Sequence, residues 1–250
     1  MYLLLIFTIL LIGLSCRFNW WRQNKDGILI LMYHHIDIPP KDEKNKKLWV
    51  NIKKFNQQMA YLKKHGYSSI TFKDLMRHIQ ESSQLPEDPV IITFDDGAEN
   101  IYTNAFPILK KNGFKACIFL IAEQSTLKID QLKEMQIYGI EFGSHTKTHP
   151  NLLEISSDRI REEILDSKKI LEERLNTKII VFAYPYGQGA YIEKIKQVVK
   201  EGGYFFACGI KRGKQTLPIN NPHSLNRILI RGDDFMIDFI LKLKKGGSRL

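Results

Sequence analysis

Two pairs of side chains have the types and spacing for chemistry. Asp95 and Asp96 are adjacent carboxylates that follow the apolar run PVIITF. His145 and His149 form an H-x-x-x-H pair between Gly143 and Pro150, a setting for a loop rather than a helix interior. Neither pair is specific alone, since adjacent Asp residues commonly cap helices or make turns. Together, two imidazoles and one carboxylate make a three-ligand set with an open position, the pattern of a catalytic zinc. The second carboxylate is then free to act as a base. Two further polar groups also follow apolar runs: Tyr33-His34-His35 after ILILM, and Tyr184-Pro185-Tyr186-Gly187 after KIIVFA.

Strands must bring these groups together. Short apolar runs predict buried strands at residues 27–32, 67–70, 89–94, 115–121, 139–142, 178–182, 204–208 and 227–230. Phe55, Met59 and Leu62 recur at helical spacing up to Gly66. Thr71 is expected to cap a helix running to about His78. Further helices are expected at 98–111 with a kink at Pro107, at 130–136, at 158–175 behind a Ser157 cap, at 191–200 and at 235–243. Strands alternating with helices imply a parallel sheet with crossovers. The expected fold is α/β, a distorted (β/α) barrel of about seven strands, TIM-like, in a single domain. Active sites of such barrels sit at the C-terminal strand ends, which is where all four polar groups fall.

Composition narrows the function classes. The chain has 250 residues, with 44% hydrophobic and 26% charged content, which is globular rather than disordered. Three Cys exclude a disulfide-stapled scaffold and a four-thiolate zinc site. Cys117 and Cys208 read as buried thiols. The net charge of +10 comes from Lys spread along the chain, without a zinc-finger, RNA-recognition or basic-heptad pattern, so no nucleic-acid partner is expected. Residues 1–16 carry no charge, and their apolar run is shorter than the roughly 20 residues of a membrane span. They fit an export signal, and Cys16 after Gly13-Leu14-Ser15 suggests a lipidation site, although a bacterial lipobox usually has Leu, Val or Ile where Gly13 stands. An uncleaved anchor is the alternative, with Arg17 and Arg22 on its flank. The expected division is a signal peptide or lipoprotein or membrane anchor at 1–16, a short linker at 17–25 and one catalytic domain at 26–245. The expected location is the cell envelope, with membrane association through the N-terminus and no obligate protein partner.

With these residues assembled, the chain resembles the polysaccharide deacetylases of carbohydrate esterase family four over about residues 28–240. Thr93-Phe94-Asp95-Asp96-Gly97 resembles their first motif, SHTKTHP at residues 144–150 their second, and Tyr184-Pro185-Tyr186-Gly187 their third. Three departures stand out. The third motif lacks its usual Arg, since Phe182-Ala183-Tyr184 stands there. The fourth motif, with paired Asp and Trp, is absent. The late apolar run that should end in His is followed by Arg231 instead. An apolar run ending in His34 opens the domain, which is similar to the circularly permuted branch that deacetylates poly-β-1,6-N-acetylglucosamine in biofilm matrix.

The resemblance implies metal-dependent hydrolysis of the N-acetyl group on glucosamine residues of a polysaccharide. Asp96, His145 and His149 are then the metal ligands, for Zn2+ first, with Co2+ or Ni2+ as substitutes. Asp95 is the general base, His34 the general acid with His223 as its rival, and the Tyr186 N–H, fixed by Pro185 and Gly187, an oxyanion donor. Arg227 is expected either to orient Asp95 or to form a salt bridge at the rim. Trp49 and Tyr184 either stack on sugar rings or pack in the core, and His35 is structural. Three alternatives stay open: a β-1,4 deacetylase acting on peptidoglycan or chitooligosaccharides, a non-catalytic glycan-binding protein at the surface, and a binder of anionic polymers driven by the net positive charge.

Overall fold

The computed structural model of the protein describes residues 2–18 and 26–248. Most of the expected linker and the Cys16 side chain lie outside the described residues. The strands are β1 (Leu29–Tyr33), β2 (Ser68–Ser69), β3 (Pro89–Phe94), β4 (Cys117–Leu120), β5 (Glu141–Ser144), β6 (Val181–Ala183), β7 (Phe206–Cys208) and β8 (Ile228–Leu229). All pair in parallel, in the order β7-β6-β5-β4-β3-β1-β8. The two-residue β2 fills the lower part of the gap beside β3, pairing with Pro89 and Val90, while β4 pairs higher up with Thr93 and Phe94. The sheet curls until Cys208, at the end of β7, bridges Leu225 just ahead of β8. The expected distorted barrel of about seven strands is therefore present, and the bonds across its seam include Gly209 N–H to Leu225 C=O (3.0 Å), Leu225 N–H to Ala207 C=O (2.8 Å) and Arg227 N–H to Lys211 C=O (3.2 Å).

Side chains alternate across this sheet with period two. Ile28, Ile30, Ile91, Cys117, Phe119, Val181, Phe206 and Cys208 belong to one cluster, in the barrel interior. Leu29, Leu31, Tyr33, Val90, Ile92, Phe94, Ile118, Leu120, Phe182 and Tyr184 belong to the other, facing the helices. Burial on both faces is why these strands read as unbroken apolar runs. Cys117 and Cys208 are buried free thiols, as expected.

The helices are α1 (Tyr2–Phe18), α2 (Ile52–Lys64), α3 (Phe72–Glu81), α4 (Phe106–Asn112), α5 (Ile129–Tyr138), α6 (Ser157–Leu175), α7 (Glu193–Glu201) and α8 (Met236–Lys245). Thr71 caps α3 in a capping box with Asp74, as its sequence position suggests. Phe72 of α3 reaches Phe119 and Phe206, so this helix plugs the lower end of the barrel.

Two local expectations are corrected and one is refined. The helix expected at 98–111 is present as one helical run over residues 99–112, with a π-helical turn at Ile101–Ala105 that leads into α4 just ahead of Pro107. The cap of α6 is Ser156, not Ser157: Ser156 Oγ accepts from Arg159 N–H, the third residue of the helix. The strand expected at 139–142 is displaced to β5, because Gly139 in a left-handed conformation (φ 104°) ends α5. Among the described residues no helix is long and apolar enough to cross a membrane.

Candidate metal centre and cleft

A cavity of about 510 Å³ opens at the C-terminal strand ends, and His34, Asp95, Asp96, His145, His149 and Tyr186 all line it. Strand parity explains the inward set. His34 continues the interior series of Ile28 and Ile30, and Asp95 continues the series of Ile91 and Thr93. His145 follows Gly143, where a Cβ would strike Phe119 and Val181 inside the barrel. Tyr184 has the opposite parity. It is fully buried, packs edge-on against Phe182, and its hydroxyl donates to the His223 carbonyl. Sugar stacking by its ring is thereby ruled out. His223 donates from Nε2 to the Tyr204 carbonyl (3.0 Å), away from the cavity, so it is not a rival to His34.

Asp96 Oδ1 lies 3.6 Å from both His145 Nε2 and His149 Nε2, and the two Nε2 atoms are 3.2 Å apart. A tetrahedral ion with ligand bonds of 2.0–2.2 Å requires edges of about 3.3–3.6 Å. His145 Nδ1 is 2.7 Å from the Ala183 carbonyl, which makes Nδ1 the protonated nitrogen and leaves the Nε2 lone pair facing the cluster. Burial pushes the His145 pKa down to about 3 and lowers that of His149. Both rings are therefore neutral, as metal ligation requires. Burial raises the Asp96 carboxyl, and adjacent Asp95 adds to the effect. Donor chemistry, spacing and tautomer all fit a divalent ion.

Asp95 is buried against Arg227, which is itself fully buried. The guanidinium grips both carboxylate oxygens (2.6 and 2.9 Å), donates through Nε to the Gly209 carbonyl (3.0 Å) and lies over the Phe119 ring. Arg227 thus orients Asp95 inside the barrel and is not a rim salt bridge. Burial pushes the Asp95 carboxyl up, but Arg227, then His145 and His34, outweigh it and hold the group well below the usual carboxylate range. His34 Nε2 stands 3.9 Å from Asp95 Oδ2. Its Nδ1 is buried without a hydrogen-bond partner among the described residues. Burial lowers the His34 pKa against the pull of Asp95 and Asp96. His35 also lines the cavity, where it stacks on Trp49 with centroids 4.0 Å apart and meets Asn100. Trp49 is half-buried and lines the cavity.

Four non-glycine residues at the cleft have left-handed backbone: Asp96 (φ 75°), Thr146 (65°), His149 (62°) and Tyr186 (55°). Such conformations cost about 1–3 kcal/mol each and collect at functional sites. Tyr186 packs edge-on against His149 at 4.7 Å, and the neighbouring Gly187 has no room for a Cβ beside Ile210. Two groups escape the sequence reading. The Ala183 carbonyl carries no side-chain signal. Glu163 is buried on the inner stripe of α6 with Ser167 and Leu171, and a carboxylate at that position, one turn before Ser167, is the sign that could have marked it.

Residues 82–207 match the polysaccharide deacetylase family. That span holds Asp95, Asp96, His145 and His149, but neither His34 nor Arg227. The chain is 33% identical over 190 residues to YxkH of Bacillus subtilis, covering 74% of this chain and 65% of YxkH. It is 30% identical over 204 residues to the poly-β-1,6-N-acetyl-D-glucosamine N-deacetylase of Staphylococcus aureus, covering 74% and 69% of the two chains. Among solved structures it is similar to the deacetylase PplD of Streptococcus pyogenes in complex with acetate, with TM-score 0.79, 32% identity and coverage of 88% and 98%. It is also similar to IcaB of Ammonifex degensii, with TM-score 0.73, 26% identity and coverage of 89% and 98%.

Proposed function

Because the chain belongs to the polysaccharide deacetylase family, hydrolases that act on carbon–nitrogen bonds, we propose that it removes acetyl groups from N-acetylglucosamine residues of a polysaccharide by metal-dependent hydrolysis. The observation that carries this reading is the Asp96–His145–His149 cluster facing the Arg227-held Asp95 and His34 in one cavity. Asp96, His145 and His149 are the residues that would hold the ion, with Zn2+ favoured and Co2+ or Ni2+ able to use the same donors. When bound, the ion supplies a Lewis acid that acidifies water and polarises the acetamide carbonyl.

The chain's own groups supply the proton transfers. Asp95, kept ionised by Arg227, accepts the proton of the attacking water at Oδ2. His34 Nε2, on the neighbouring strand end, delivers a proton to the departing amine nitrogen as the C–N bond breaks. Acetate and a free amine result. The Tyr186 N–H is the donor proposed for the oxyanion, a contribution of about 3–4 kcal/mol in comparable sites. Pro185 and Gly187 set its backbone.

The proposed substrate is poly-β-1,6-N-acetylglucosamine. His34 at the end of the first strand supports this, as does the likeness to a Staphylococcus aureus protein named for that polymer. The same reading places the protein at the cell envelope, exported and membrane-associated through its N-terminus as a lipoprotein or anchored protein. The exposed apolar side chains of α1, among them Leu4, Ile6 and Phe7, support it.

The test is acetate release from defined β-1,6 and β-1,4 oligomers of N-acetylglucosamine, with chelator and after Zn2+ is restored. Release from β-1,6 oligomers that stops with chelator is the expected result. Release from β-1,4 oligomers alone moves the substrate to peptidoglycan or chitooligosaccharides, and glycan binding without acetate makes the protein non-catalytic.

A further inference from the structure

The loop that carries both imidazoles is tied down from outside the cleft. Glu163 on α6 is fully buried beneath it. Its Oε2 accepts from the N–H groups of Lys147 (2.9 Å) and Thr148 (2.8 Å). Its Oε1 accepts from the Thr148 hydroxyl (2.6 Å) and lies 2.9 Å from the Arg159 guanidinium. The residues on either side of this clamp, Thr146 and His149, both have left-handed backbone. Thr146 Oγ1 accepts from His149 N–H (3.0 Å) and so ties the loop to itself. That internal bond does not hold residues 147 and 148 against the barrel; Glu163 does so from the α6 side through their N–H groups, while the Glu123 N–H and the Gln124 side-chain amide hold their carbonyls (3.1 and 3.2 Å) from the segment after β4. A strained loop keeps its shape only where the surroundings over-determine it. Here the shape sets where the His149 ring stands relative to the His145 ring.

We propose that Glu163 is a positioning residue for the metal centre, holding residues 147 and 148 against α6 and thereby setting the separation of the two imidazoles. The proposal rests on the assignment of Asp96, His145 and His149 as ligands. It requires a carboxylate in particular. The two backbone N–H groups and the Arg159 guanidinium can only donate, so an amide at this place turns its NH2 toward the guanidinium and reverses the bond to the Thr148 hydroxyl. Outer partners of metal ligands typically change affinity 10- to 100-fold when replaced.

The test is a Co2+ titration of the metal-free protein, followed by calorimetry and by the visible absorption of the bound ion. Glu163→Gln should bind Co2+ 10- to 100-fold more weakly, with altered band intensities, while far-UV circular dichroism and a cooperative melt show a folded metal-free protein. Thr148→Val, which removes one bond of the clamp and leaves the backbone intact, should weaken binding several-fold and add little when combined with Glu163→Gln. A folded Glu163→Gln protein with the parent's Co2+ affinity and spectrum overturns the proposal. So does a Glu163→Gln protein that is unfolded without metal while Thr148→Val binds as the parent does, because Glu163 would then serve the fold alone. If Glu163→Gln is unfolded and Thr148→Val binds weakly, the proposal stands. A parent protein that takes up no Co2+ is a different result, and it overturns the ligand assignment itself.

Discussion

Arg227 and Asp95 lie 132 residues apart and form a buried ion pair whose loss has a defined thermodynamic signature. Arg227→Met removes both hydrogen bonds to Asp95 and the Nε bond to Gly209 while keeping an apolar stem beside Phe119. Stranding one member of a buried pair costs about 3–5 kcal/mol, and the lost Gly209 bond adds about 1 kcal/mol. Metal-free Arg227→Met should therefore unfold in urea at pH 7 with a stability about 4–6 kcal/mol below the parent. Asp95→Asn strands the guanidinium and should cost about 3 kcal/mol or more. The double variant holds no buried charge at this place, so it should be at least about 2 kcal/mol more stable than the two single losses predict when added.

The pH dependence should change sign. In the parent, the folded-state pKa of Asp95 lies below the ordinary 3.8, so its contribution is present above that value and is lost as pH falls through the folded one. Without the guanidinium, burial raises the folded pKa above 3.8, and Arg227→Met should gain stability on acidification toward about pH 5. Single losses that simply add, or an Arg227→Met protein as stable as the parent, would refute the pairing and the account of how Asp95 stays ionised.

Three further outcomes are expected. Asp95→Asn should reduce acetate release at least about 100-fold, the usual contribution of a general base, while metal analysis of the purified protein still finds the ion; full activity would remove Asp95 from the base role. His34→Ala should lose about 100-fold in rate with metal content unchanged. An undiminished rate would assign the proton to water, since His223 is engaged with the Tyr204 carbonyl outside the cavity. Glu141, buried at the barrel floor, caps α3 by accepting from the N–H groups of Phe72 and Lys73, and burial raises its pKa to about 7 from the ordinary 4.5. Folded protein then binds more protons than unfolded protein between those values, so stability falls as pH rises from about 4.5 to 7, by about 3 kcal/mol in total. Melting profiles of Glu141→Gln should lack this slope, and a parallel pair of profiles would contradict it.

The barrel, the candidate ligand set and the position of the cleft are legible in the chain because they depend on local order. Parallel strands buried on both faces give apolar runs, and the polar residues that end those runs must fall at the C-terminal mouth. Boundaries were less legible where neighbours were chemically equivalent, as Ser156 and Ser157 are, or where a glycine at the end of one element looked like the start of the next, as at Gly139. Period-two alternation was also present in the sequence, and applied strictly it separates His34 and Asp95 from Tyr184, whose ring faces the helices.

Other features had no local sign. Arg227 meets Asp95 because β8 pairs with β1 and β1 with β3, which sets residues 132 positions apart in the chain two strands apart in the sheet. The family match at 82–207 contains neither Arg227 nor His34, and strand order alone delivers both to the same carboxylate. Glu163 reaches the 145–149 loop because α6 packs beneath β5. The amino-acid order thus specifies which groups stand at the mouth of the barrel, since that follows from periodicity. Which of them touch, and so which carboxylate stays charged and which imidazole nitrogen stays free, depends on contacts between residues distant in the chain, and only the closed sheet makes those contacts.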